Sequence, residues 1–257
     1  MKPKQASPLD PARRGWLASL SWLAGVASLA GLGAVQPALA GTASSTLPAV
    51  VVWDFENQTP GPLPGDRSEF LKRSLSENLT VTLLQVPGLP VVERQRLKDL
   101  LAEQKLAAGA LADEDTRLRL GKIIGAQRMV FGGYFVLGEA VQVHVRVVDT
   151  ATSRVLFSDE AATPLAGVMA EVAPMNQRLA RALGGAAAAA GAGAGAAAGA
   201  RTHAPETWQA YDRALTLADA GNFDAAVQAL QDLLARDPRF VAAERQLVAL
   251  LERQARR

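Results

Sequence analysis

Arg128-Met129-Val130-Phe131-Gly132-Gly133-Tyr134-Phe135-Val136-Leu137 is followed by Gly138-Glu139-Ala140 and then by Val141-Gln142-Val143-His144-Val145-Arg146-Val147-Val148. Successive side chains of a strand point to opposite faces, so Val141, Val143, Val145 and Val147 share one face. Gln142, His144 and Arg146 share the other. The three-residue connection leaves room only for an antiparallel hairpin. Thr150-Ala151-Thr152-Ser153 then turns the chain into a third strand, Arg154–Ala161, which completes a meander.

Upstream, Ala49-Val50-Val51-Val52-Trp53-Asp54-Phe55 reads as a buried strand, with a proline- and glycine-rich loop over Glu56–Gly65. Phe70, Leu71, Leu75, Leu79 and Leu83 recur at helical spacing across Ser68–Leu84. The turn Pro87-Gly88 leads to a strand over Leu89–Glu93, and a helix follows over Arg94–Leu106. Asp113 caps a further helix that Gly125 stops after Ile124. Downstream of the meander a helix is expected over Leu165–Leu183. This order predicts an α/β sandwich with a mixed sheet, spanning about residues 47–183.

Gly184–Ala200 is all Gly and Ala, so residues 184–204 read as a linker. A small all-α segment is expected over 205–257. Trp208, Tyr211 and Ala214 share one helix, Gly221-Asn222-Phe223 forms the turn, Ala226 starts the second apolar stripe, and Pro238 ends the pair. The pattern resembles one 34-residue tetratricopeptide unit, a protein-binding helical hairpin; a plain helical hairpin is the alternative. Such units normally stack in threes, so this one is expected to dock on the α/β domain, a partner or a copy of itself.

The chain has 27 basic and 25 acidic residues, but Lys2, Lys4, Arg13 and Arg14 stand in its first fourteen positions. No charge follows until Asp54, and Trp16–Val35 is apolar. Pro37-Ala38-Leu39-Ala40 before Gly41 completes a secretory signal cleaved between Ala40 and Gly41. An uncleaved anchor is the rival. Arg13-Arg14 leaves the twin-arginine and Sec routes both open. Without residues 1–40 the balance is 23 basic to 24 acidic, a net of −1. That near-neutral chain gives no case for nucleic-acid binding. The absence of cysteine removes disulfides, thiolate metal sites and cysteine-linked lipid. A periplasmic location follows, with no membrane-spanning segment expected in the mature chain.

Four stretches carry a family resemblance: Val51-Val52-Trp53-Asp54-Phe55-Glu56-Asn57; Val91-Val92-Glu93-Arg94-Gln95-Arg96-Leu97; Leu120-Gly121-Lys122-Ile123-Ile124-Gly125-Ala126 leading to Val130–Tyr134; and Val143–Asp149 with Thr150. In this order they resemble the CsgG family, which includes the curli secretion channel, and the same pattern occurs in LpoB-like activators of penicillin-binding proteins and the TolB amino-terminal domain. The resemblance implies structural or partner-facing roles for Asp54, Phe55, Glu56, Asn57, Glu93, Arg94 and Gly125. A self-made pore is not expected: the 138–140 turn is too short for a spanning hairpin, and a lipid anchor would need cysteine.

Asp54 and Glu56 are the nearest thing to a catalytic pair, with no histidine or third acid close in sequence. They are expected to brace the loop instead. The expectation is a non-enzymatic adaptor or scaffold in envelope secretion or assembly, without cofactor or metal. Its partners would be envelope proteins or polypeptide segments, and copies of itself. An activator of a cell-wall synthase is the alternative, and an enzyme using Asp54 and Glu56 the third reading.

Overall fold

The computed structural model describes residues 47–60, 68–92, 94–103, 113–191 and 203–256. The expected signal cleavage at Ala40 and Gly41, and Glu93, lie outside them.

Three short parallel pairings start the sheet. Strand β1 (Val50–Val52) pairs with β3 (Val91–Val92) on one side and with β4 (Arg128–Leu137) on the other. Parallel neighbours need crossover connections. Helix α1 (Leu71–Leu84) carries the chain from β1 out to β3, and α2 (Arg94–Glu103) with α3 (Glu114–Ile124) brings it back to β4. The two crossovers run in opposite directions across the sheet, so right-handed connections place their helices on opposite faces. The apolar clusters agree: α1 residues pack with Val50 and Val52, whereas α2 and α3 residues pack with Val51 and Trp53.

The meander follows as expected. β4 pairs antiparallel with β5 (Ala140–Asp149), and β5 with β6 (Val155–Pro164). The strand order is β3-β1-β4-β5-β6. Val141, Val143, Val145 and Val147 lie in the α1-side core together with Leu71, Leu75, Leu79 and Leu83. After a short 3-10 turn come α4 (Val168–Glu171) and α5 (Ala173–Gly191), which packs beside α1 on that face. The single helix expected over 165–183 is thus divided. It also runs past Leu183, with Gly185 out of helical geometry at φ 51° and ψ −131°. The last strand extends three residues beyond the expected end at Ala161, while β3 is shorter than expected.

Helix α3 shows why local chemistry was readable. The Asp113 carboxylate accepts from the backbone N–H of Thr116 (2.9 Å) and from its hydroxyl (2.7 Å), satisfying a helix-end donor. At the other end Gly125 adopts φ 81°, and Ala126 N–H returns to Gly121 O.

Three further helices close the chain: α6 (Pro205–Asp219), α7 (Phe223–Arg236) and α8 (Val241–Ala255), each packing on the next. Phe240 stands at their centre, its ring centroid 4.7 Å from Trp208 and 5.3 Å from Tyr211, both edge-on. His203 was expected in the linker. It packs instead 4.6 Å from Phe240 and bonds to Asp237. The described residues form one compact unit, and the buried apolar cluster is continuous from the sheet through α1 to these helices.

Candidate functional site

The Asp54–Asn57 motif lies where the first strand breaks and resumes. β1 ends opposite Val130 at Val52, and β2 (Glu56–Asn57) resumes parallel pairing opposite Gly133 and Tyr134. Four steps along the chain therefore match three along β4, the signature of a bulge. Strict alternation would send Phe55 to the same face as Trp53. The extra residue reverses the parity, so Asp54 is exposed and Phe55 is buried with Val50 and Val52. Gly132 makes this possible, because a Cβ there would overlap the Phe55 ring. Glu56–Asn57 had been expected in a loop; a two-residue strand behind a bulge has no periodicity to read.

Each polar member of the motif holds a different element. Asp54 accepts from the Ser76 hydroxyl on α1 at 3.3 Å. Glu56 pairs with Arg117 on α3. Asn57 donates to Glu69 at 2.7 Å and accepts from Thr59 N–H at 3.0 Å. Burial pushes the Glu69 carboxyl up, but hydrogen bonds from Lys72 and Asn57 outweigh it and hold the group below its ordinary value.

Arg117 was not singled out from the sequence, although it sits on the same helical stripe as the buried Leu120, Gly121 and Ile124. An arginine on an apolar stripe is the signal that could have found it. Its guanidinium is 4.8 Å from the Phe131 ring centroid, and Arg146 reaches the same ring at 5.4 Å. Each cation has its own carboxylate, Arg117 with Glu56 and Arg146 with Glu114 at 2.6 Å, which lets two like charges share one ring. Arg117 is buried, and its Nε makes no hydrogen bond.

Beyond Phe131 and Val148 the α3-side apolar cluster stops among the described residues, and the sheet face turns polar. His144 was expected on an exposed face, yet it is half-buried. It lies over Gly133, where a Cβ would come within 2.6 Å of its ring. Burial, aided by Arg146, pulls the His144 pKa below its ordinary value, against the opposing pull of Glu56 and Glu160. Among the described residues no group of three or more His, Asp or Glu is placed to hold a metal. None of their helices is long and apolar enough to cross a membrane.

Of the other expected residues, Gly125 ends α3, and Arg94 opens α2. Trp208, Tyr211, Ala214 and Ala226 are buried in the tail. Gly221 supplies a φ of 82° at the α6–α7 turn. Phe223 lies under Arg253, whose guanidinium is 5.4 Å from the ring, and Pro238 is exposed.

Charged pairs border the apolar contact between the tail and the α/β domain. Arg73 of α1 bonds to Thr216 (2.8 Å) and pairs with Asp212 (3.2 Å) and Asp219 (3.8 Å) on α6. Lys98 of α2 also pairs with Asp219, and Asp99 pairs with Arg253 of α8 at 3.4 Å.

Residues 33–139 match the family model described as curli production assembly/transport component CsgG. Over those residues the chain is similar to that family. The match takes in the whole Asp54–Asn57 motif and ends within the β4–β5 turn, before the tail. Solved structures similar to this chain include the LpoB C-terminal domain from Salmonella enterica, at 17% identity over 48% of this chain and 87% of that one, TM-score 0.35. Lipoprotein GNA1162 from Neisseria meningitidis gives 17% identity over 45% and 79%, TM-score 0.35. TolB from Acinetobacter baumannii gives 14% over 55% and 30%, TM-score 0.36. No curated protein sequence matches the chain.

Proposed function

We propose that this protein is a non-enzymatic, exported adaptor or scaffold of the cell envelope, serving secretion or assembly in the periplasm. The observation that carries the reading is the way the Asp54–Asn57 motif is used. An acid and a base acting on one substrate must converge on one point. Here Asp54 bonds to α1 and Glu56 to α3, helices that cover opposite faces of the sheet. The motif holds β2 in place and so shapes the half-open face beside it. The match to a family described as an assembly and transport component supports an envelope role.

The test is affinity capture from envelope extracts, using the chain with and without residues 201–257. Reproducible recovery of secretion or assembly proteins, reduced when the tail is removed, is the expected result. Recovery of a penicillin-binding protein alone would move the assignment to a synthase activator. A purified activity lost in Asp54→Ala or Glu56→Ala, with folding intact, would overturn the binding role.

A further inference from the structure

We infer that Asp159 is an edge guard: its carboxylate occupies the outward-facing N–H of Glu160 and keeps β6 from accepting an added strand of another polypeptide. β6 is the last strand in the sheet order, ten residues long, and no described element pairs with its outer side. The pairing shows which groups face out. Leu165 N–H donates to Glu139 O at 2.8 Å, and the register holds without a shift from Ala140 opposite Pro164 to Val147 opposite Phe157. Hydrogen-bonded pairs alternate in an antiparallel ladder. Phe157, Asp159, Ala161 and Thr163 therefore bond toward β5, while Ser158, Glu160 and Ala162 turn their backbone groups outward. Such a row is a template for strand addition.

Three features interrupt the row. Leu156 is the extra residue at the register shift beside Val147 and Val148, and Pro164 has no N–H to offer. Those limit its ends, whereas Asp159 acts at its centre. Oδ1 of Asp159 accepts from Glu160 N–H at 2.9 Å, and Oδ2 accepts from Arg178 Nε of α5 at 2.6 Å. Alternation puts Asp159 on the same face as Phe157 and Ala161, which pack against the apolar core. A carboxylate there breaks the apolar pattern, and an inward-pointing charge is one of the ways natural sheets blunt an edge. The hydrogen bond from Arg178, opposed by burial and aided by Glu160 N–H, holds the carboxyl below its ordinary value, so it remains an acceptor. The opposite edge is closed by bulk. Asp219 of the tail pairs with both Arg73 of α1 and Lys98 of α2, on opposite faces, which sets the tail beside β3. Main-chain bonds at an open edge accept extended segments with little regard to sequence. For an adaptor that handles polypeptides, the guard leaves partner choice to side chains. That consequence rests on the proposed function; the guard itself does not.

Three substitutions in the full chain separate the guard from the ion pair. Asp159→Val removes the acceptor and restores an apolar residue to the closed face. Asp159→Asn keeps an oxygen for the Glu160 N–H without the charge, and Arg178→Ala keeps the carboxylate without its partner. Sedimentation velocity across a concentration series should show additional self-association for Asp159→Val alone, with Asn and Arg178→Ala forms matching wild type. In the associated Asp159→Val form, the amides of Ser158, Glu160 and Ala162 should become protected from hydrogen exchange. The inference is overturned if Asp159→Val associates no more than wild type, or if those three amides stay unprotected when it does. It is overturned equally if Asp159→Asn or Arg178→Ala associates as strongly as Asp159→Val. Wild-type exchange supplies a test that needs no substitution. Corrected for intrinsic rates, the Glu160 amide should exchange at least about fivefold more slowly than those of Ser158 and Ala162; equal rates overturn the guard. None of these readouts involves partner capture, so failure here leaves the adaptor assignment standing.

Discussion

The two faces of the sheet come from the same strands and are built on opposite terms. On the α1 side, β5 presents four valines, each no more than 1% exposed, against the leucines of α1. On the α3 side the same strand presents Gln142, His144 and Arg146, and the helices cover only the half nearest β1. Burial of apolar area rewards the first face without regard to direction. The second depends on named pairs, Glu56 with Arg117 and Arg146 with Glu114, whose worth rests on geometry. The Asp54 bulge joins the two, because it moves Phe55 to the closed face and leaves Glu56 on the open one.

The contrast can be broken at its join. Phe55→Ala should have the largest effect, a loss of about 3–5 kcal/mol in denaturant unfolding, since it empties a buried site within the closed-face core. A loss below about 1 kcal/mol would mean that the bulge does not anchor the closed face. Gly133→Ala tests the open face in the same way by pushing a methyl against His144, and should cost about 1–3 kcal/mol. An unchanged midpoint would show that His144 moves aside freely. A double-mutant cycle on Glu56→Gln and Arg117→Met should return a small but measurable coupling of about 0.5–1 kcal/mol, because the Glu56 carboxylate remains half exposed. A value near zero would assign the burial of Arg117 to packing on Phe131 alone.

The smallest effect is in the pH dependence. His144 has a folded pKa below the ordinary 6.5, so on acidification the unfolded chain takes up this proton first. Its contribution to stability is therefore intact above about 6.5 and declines as pH falls below that value. Denaturation curves collected downward from pH 7.5 should lose less stability in His144→Gln than in the parent. Identical slopes in the two proteins would rule out a linked histidine.

How much of this was legible follows from how local each cause is. The meander was readable because Val-Gln-Val-His-Val-Arg-Val repeats with period two, and its turns are too short for any other connection. Helix α3 was bounded correctly because Asp113 and Gly125 act on their own helix ends. The tail's aromatic centre was half visible: Trp208 and Tyr211 stood at helical spacing, but Phe240 and His203 gained their roles only by meeting them. Arg117 and Glu56 are 61 residues apart, and Arg73 and Thr216 are 143 apart. Nothing in the spacing of either pair says that they touch.

By itself, then, the sequence determined the strands of the meander, the capped helix, the alternation of β5 and the helical character of the tail, because each arises from the stereochemistry of neighbouring residues. Only the tertiary structure decided the parity change at Asp54, the sharing of Phe131 by two arginines and the seating of the tail on α1 and α2. Those depend on which surfaces meet once apolar burial has brought distant segments together. One of the four stretches that carried the family resemblance is where the two faces join.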